Sequence, residues 1–250
     1  MSSPPSTVRP PWMIRTRSIH FAVLIGAFVG FSALVASGAT FAMDDGASRY
    51  FKGLQGNPSI DAAMLIVTSF GDATTLFVIG IVLIIIRRTR KVGMIFLIAL
   101  VVLVVLVMYI KPVVGRHIPP YGFSPPADFP ENFSLEQDSL APGTQFLSYP
   151  SGHASRTTAL AFIAGFALYN RSRIAGYVIW VFPVVMGITR LYVMQHYPTD
   201  IVGGMLLGLI VSVILSNAMK LDQPFSMSRF KGRGEEEKDD RAPAGDSLPQ

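Results

Sequence analysis

Residues 93–110 read GMIFLIALVVLVVLVMYI, without a charged side chain. A helix lying half in water carries polar residues every third or fourth position, and this run does not. Crossing a bilayer takes roughly 20 apolar residues. The run extends over 92–110, and five further stretches come near that length, at 19–42, 62–86, 154–170, 174–189 and 198–219. The fold class that follows is all-α: a polytopic membrane protein built as a bundle of six transmembrane helices. Composition agrees. Only 15% of the residues are charged, against about 25% in a soluble domain. The stretches at 154–170 and 174–189 are short and rich in small residues, which places them inside the bundle.

Segment 19–42 also has the marks of a cleavable signal peptide. Arg9, Arg15 and Arg17 precede it, and Ala39-Thr-Phe-Ala42 resembles a cleavage site. Its apolar stretch is longer than the roughly 7–15 residues of a usual signal core, so it is read as a retained span.

Lysine and arginine placement orients the bundle. With six spans, one side holds 1–18, 87–91, 171–173 and 220–250, and with them 15 of the 21 basic residues. Setting the long C-terminal tail aside leaves 9 against 6. That side is expected to be cytoplasmic, with both termini, and the membrane to be the plasma membrane. Residues 1–18 and 221–250 read as disordered tails flanking a six-helix domain at 19–220. There is no cysteine, hence no disulfide framework, thiolate metal site or cysteine nucleophile. The loop 111–152, on the outer side, is long for a compact domain, and such loops are usually functional. Its PPYGFSPPADFPENF stretch is read as a cap over the outer face.

Ionisable residues at membrane depth are costly and usually face a cavity or a partner. Here they cluster. Lys111 ends the third segment, His153 and Arg156 start the fourth, Arg190 ends the fifth, and His196 and Asp200 start the sixth. All these ends fall on the outer side. With Arg116 the group holds four cations, two histidines and one carboxylate, a balance suited to an anion. Ser151 and Gly152 add backbone N–H groups at a helix start, where amides lack intrahelical partners and the dipole favours negative charge. Gly152 lets backbone and ligand approach closely. His196 and Asp200, four apart, can meet side by side. Asp200 would then hold one imidazole nitrogen and leave the other free as a nucleophile.

These residues carry a resemblance. The sequence resembles the type 2 phosphatidate phosphatase superfamily, in its integral-membrane lipid phosphatase branch. The Pro-Ser-Gly-His motif stands unaltered at Pro150–His153. The motif Ser-Arg, five residues, His, three residues, Asp is present as Thr189-Arg190-LYVMQ-His196-YPT-Asp200. A third, lysine followed after six residues by Arg-Pro, is imperfect: Lys111 and Pro119 are in register, but Ile118 stands at the arginine position. The resemblance covers about residues 60–220. It implies that His196 attacks phosphorus to give a phosphohistidine, Asp200 orients it, and His153 protonates the leaving oxygen. Lys111, Ser151, Gly152 and Arg190 would hold the phosphoryl oxygens, with Arg116, helped by Arg156, covering for the missing arginine. No metal or other cofactor is implied, and no carboxylate cluster suggests one. The expected partners are the bilayer and a lipid phosphate, with no nucleic acid. A polyprenyl diphosphate carrier is the first choice of substrate, then phosphatidic acid or phosphatidylglycerophosphate. The alternatives are a haloperoxidase, whose branch is typically soluble, and a non-catalytic phospholipid binder or transporter with a degenerate site.

Overall fold

The computed structural model describes residues 8–130, 133–139 and 142–223. Apolar runs become helices, and the polar residues at their ends supply the caps. Among the described residues these are α1 (Ile19–Ala36), α2 (Phe41–Gly53), α3 (Pro58–Thr68), α4 (Ala73–Ile85), α5 (Arg90–Val114), α6 (Gly152–Arg171), α7 (Arg173–Val178), α8 (Val181–Tyr192) and α9 (Pro198–Ala218). Asn57 caps α3 by accepting from the Ser59 and Ile60 N–H groups, with Pro58 following at the first position. Ser151 caps α6 in the same way. At its other end α5 stops where Gly115 turns left-handed, φ 68°, and its N–H closes on the Lys111 carbonyl.

Four stretches are long and apolar enough to cross a membrane: Ile19–Ala36, Arg90–Val114, Arg173–Tyr192 and Pro198–Ala218. The pair Pro58–Gly71 and Ala73–Ile85, bent by 51°, counts as a fifth when taken as one broken span. Two expectations change here. Segment 62–86 is not one straight helix, because the chain breaks at a 3₁₀ turn, Ser69–Gly71, before Asp72. The expected fourth span is α6, which falls short of the apolarity of the other five. Its position explains this: α6 packs against α5, α7, α8 and α9, and every residue from Gly152 to Ile163 is buried. A helix enclosed by other helices need not be as apolar as one facing lipid. The third segment also runs farther than read, to Val114, so the connection on that side spans 115–151.

One region packs more closely than expected. Residues 8–18 of the expected N-terminal tail are folded onto the bundle: Arg9 pairs with Asp222, and Trp12 stands edge-on to Tyr169, Tyr177 and Trp180. Residues 1–7 and 224–250 lie outside the described part. In the connecting loop, Phe123, Phe129, Phe133 and Leu135 pack around Leu65, Tyr192 and Val193, so the aromatic stretch seats on α3 and α8.

Helices α6 and α9 approach one another backbone to backbone. A Cβ at Gly208 would lie 2.4 Å from the Ser155 carbonyl oxygen. Small residues four apart, Gly204 and Gly208, allow such backbone proximity between membrane helices. Gly208→Ala is therefore expected to lower the thermal midpoint of the detergent-solubilised protein, since overpacking against backbone costs about 1–3 kcal/mol. Gly26→Ala, where nothing lies within 4 Å, is the matched control and should leave the midpoint in place.

Candidate active site

Helix ends assemble the site. Lys111 comes from the last turn of α5, and Ser151, Gly152, His153 and Arg156 from the start of α6. Arg190 is in the last turn of α8, His196 in the link to α9, and Asp200 in the first turn of α9. Each is buried. Pro198 starts α9, and Asp200 accepts the Tyr197 N–H at 2.7 Å, fixing the carboxylate at the helix entrance.

At the centre lies a residue that sequence reading did not single out. Asp138, from the connecting loop, is fully enclosed. Its Oδ2 accepts from the Gly152 N–H at 2.6 Å and lies 2.6 Å from His196 Nε2 and 3.4 Å from Ser151 Oγ. Its Oδ1 meets His153 Nδ1, and Arg156 donates to it at 3.3 Å. Burial pushes the Asp138 carboxyl upward, but the facing His153 and His196 outweigh it and hold the group well below the ordinary carboxylate range. Gly152 is required for this packing, because a Cβ there would stand 2.8 Å from the Asp138 carboxyl carbon.

Some donors around this carboxylate are incompletely used. Arg190 gives one bond, to the Glu136 carbonyl at 3.1 Å, while its Nε and Nη1 have no partner among the described residues. Nor does Nδ1 of His196, which lies 3.8 Å from Asp200 Oδ2, too far for a hydrogen bond. Lys111 donates to the Leu147 carbonyl.

The acidic balance differs from the expected single carboxylate. Asp72, Glu136 and Asp138 surround His153 and Arg156, and Asp44 lies beyond Asp200. Asp72, Glu136 and His153 lie close enough to share a cation, so the expectation that no carboxylate cluster exists is corrected. Each already has a protein partner: Asp72 meets His153 Nε2 at 2.9 Å, and Glu136 accepts from Arg156 and from the Ala73 N–H. The reason for the miss is that these acids sit in connecting segments, where spacing reveals nothing. Only Asp72 left a signal, as a charge inside an apolar segment.

Arg116 was expected among the anion ligands. Among the described residues its side chain bonds instead to Asp44 at 2.7 Å, Thr199 at 2.6 Å and Asp200 at 3.1 Å, and it stacks 4.1 Å from the Tyr197 ring centroid. Arg156 is the arginine that reaches the cradle.

The model of the PAP2 superfamily matches residues 90–224, more than half of the chain. The chain belongs to the PAP2 superfamily. Among curated PAP2 relatives it is similar to the undecaprenyl-diphosphatase BcrC of Bacillus subtilis, 28% identical over 87 residues, 35% of this chain and 43% of that protein. It is also similar to the lipid A 1-phosphatase of Rhizobium johnstonii, 42% identical over 72 residues, 28% of this chain and 27% of that one. The matched parts thus span less than half the length of these relatives. In fold it is similar to the PAP2-type phosphatidylglycerolphosphate phosphatase of Bacillus subtilis, with a TM-score of 0.63 and 22% identity, covering 82% of this chain and 98% of that one. The PAP2 match begins at α5, so α1 to α4, with Asp44 and Asp72, lie outside it.

Proposed function

We propose that this PAP2 protein is a metal-independent lipid phosphate phosphatase working through a phosphohistidine at the outer membrane leaflet. One observation carries the reading. Four groups that the motifs place at the phosphate, Ser151 and the Gly152 N–H as donors, His153 as acid and His196 as nucleophile, converge on a single buried anion, the Asp138 carboxylate. A phosphoryl group in its place is held by Ser151 and Gly152, faces His196 Nε2 with that nitrogen unprotonated, and takes two further bonds from Arg190 Nε and Nη1, which have no partner among the described residues.

The chemistry follows from that position. His196 Nε2 attacks phosphorus while Asp200, on the Nδ1 side, balances the charge that develops on the imidazole. The phosphorus–oxygen bond to the lipid breaks, and His153 gives its proton to the leaving oxygen. Asp72 holds the far nitrogen of His153. Water, deprotonated by His153, then attacks the phosphohistidine and releases phosphate. Gly152, Ser151, Lys111, Arg190 and Arg156 stabilise the charge on the equatorial oxygens, the expected main contribution to rate. Arg156, rather than Arg116, replaces the motif arginine displaced by Ile118.

On this reading the chain crosses six times, counting α6, and the lysine and arginine bias supports cytoplasmic termini with the site on the extracytoplasmic side. The lipid tail remains in the bilayer. A polyprenyl diphosphate is the first choice of substrate, in keeping with the undecaprenyl-diphosphatase relative, followed by phosphatidic acid and phosphatidylglycerophosphate. The test is phosphate release by purified protein in detergent from these three lipids, with and without EDTA. Release from at least one, unchanged by EDTA, is expected. Retained lipid binding without release from any would replace this reading with that of a non-catalytic binder, and loss of release in EDTA would remove its metal-independence.

A further inference from the structure

Helix α2 is amphipathic, lies outside the region shared with the family model, and yet reaches the site. Asp44, in its first turn, is fully buried. Its Oδ1 accepts the Thr199 N–H at 3.2 Å, and its Oδ2 accepts from the Thr199 hydroxyl and from Arg116, each at 2.7 Å. Thr199 is in the first turn of α9, where backbone donors lack helical partners and a negative charge is favoured. Asp44 thus caps, from another helix, the turn that carries Asp200.

Arg116 links the two carboxylates. One nitrogen donates to Asp44, the other to Asp200 Oδ1 at 3.1 Å, and the Tyr197 ring lies against the guanidinium. Asp200 is held at both oxygens, by Arg116 and by the Tyr197 N–H, which leaves Oδ2 facing His196 Nδ1. Charge matters as much as geometry. Arg116 alone would neutralise Asp200. With Asp44 opposing it, the three side chains keep a net negative charge beside His196.

We propose that Asp44 and Arg116 are a positioning pair for the phosphatase reaction, acting through Asp200 on His196. The proposal rests on the reading of His196 as nucleophile. It assigns Arg116 a place behind the histidine instead of on the phosphate, and makes α2 part of the reaction machinery.

Asp44→Asn keeps the shape and removes the charge. The expected result is a fall in kcat of ~10²-fold, the scale on which a small misplacement acts, with KM within about twofold of wild type. The decisive measurement is the same substitution in an Asp200→Asn background, where a residue acting through Asp200 should cost less than about twofold further. Full multiplication of the two losses would mean an independent structural role and would overturn the proposal. So would an unchanged kcat, or a raised KM at constant kcat, which would return Arg116 to the phosphate. Should Asp44→Asn fail to fold, Arg116→Gln in the same two backgrounds reads the same coupling. No release by wild-type protein on any lipid would instead defeat the underlying phosphatase reading, a different result from coupling that is absent in an active enzyme.

Discussion

Replacing His196 with alanine is expected to abolish phosphate release, by about 10⁴-fold or more, as loss of a nucleophile does in other hydrolases. His153→Ala should behave differently in a way that depends on the substrate. If His153 gives its proton to the leaving oxygen, its absence matters most for a lipid alkoxide and least for a leaving group already stable as an anion. With a lipid monophosphate the loss should be ~10²- to 10⁴-fold, the usual worth of a positioned acid. With p-nitrophenyl phosphate the first step should be largely spared, and phosphorylated protein should accumulate because His153 also activates the water. Equal losses in the rate of protein phosphorylation by the two substrates would remove His153 from the acid role. Wild-type rates in His196→Ala would remove the phosphohistidine.

The apolar runs at 92–110 and 198–219 were legible because membrane burial writes itself as continuous hydrophobicity, and α5 and α9 follow them closely, whereas the run 19–42 divides between α1 and α2. The convergence of Lys111, His153, Arg190, His196 and Asp200 was also readable, since each stands at the end of such a run. Hydropathy could not reveal how the segments break. Asp72 follows the 3₁₀ turn that divides α3 from α4, and its carboxylate is spent on His153. Nor could it reveal α2, whose alternation of polar and apolar residues is that of a helix lying on the bundle. The carboxylates Asp44, Glu136 and Asp138 reach the site from segments with no fixed spacing to the motifs. Sequence also could not choose between Arg116 and Arg156: Arg116, near the motif position, pairs with Asp44 and Asp200, whereas Arg156, on another helix, lies beside Asp138.

Asp138 gives the second large effect. If the phosphoryl group binds as proposed, the Asp138 carboxylate occupies its donors, the two anions exclude one another, and substrate binding includes the displacement of Asp138. Protonation is not a route to release, because His153 and His196 keep the carboxyl well below its ordinary range and it stays charged at neutral pH. The incoming anion must therefore win by its own charge and by bonds that Asp138 leaves unmade, chiefly at Arg190 Nε and Nη1. This favours a doubly charged phosphate over a carboxylate. Asp138→Ala removes the competitor. Hydrogen bonds to charged groups are worth about 1.5–3 kcal/mol each, so KM for the lipid and the inhibition constant for vanadate should both fall by about tenfold or more, with kcat retained. A carboxylate that instead took part in the chemistry would show itself by a collapse of kcat with KM unmoved. Parallel tightening of substrate and vanadate is what separates the two roles, because an internal occupant weakens every anion that seeks the same donors.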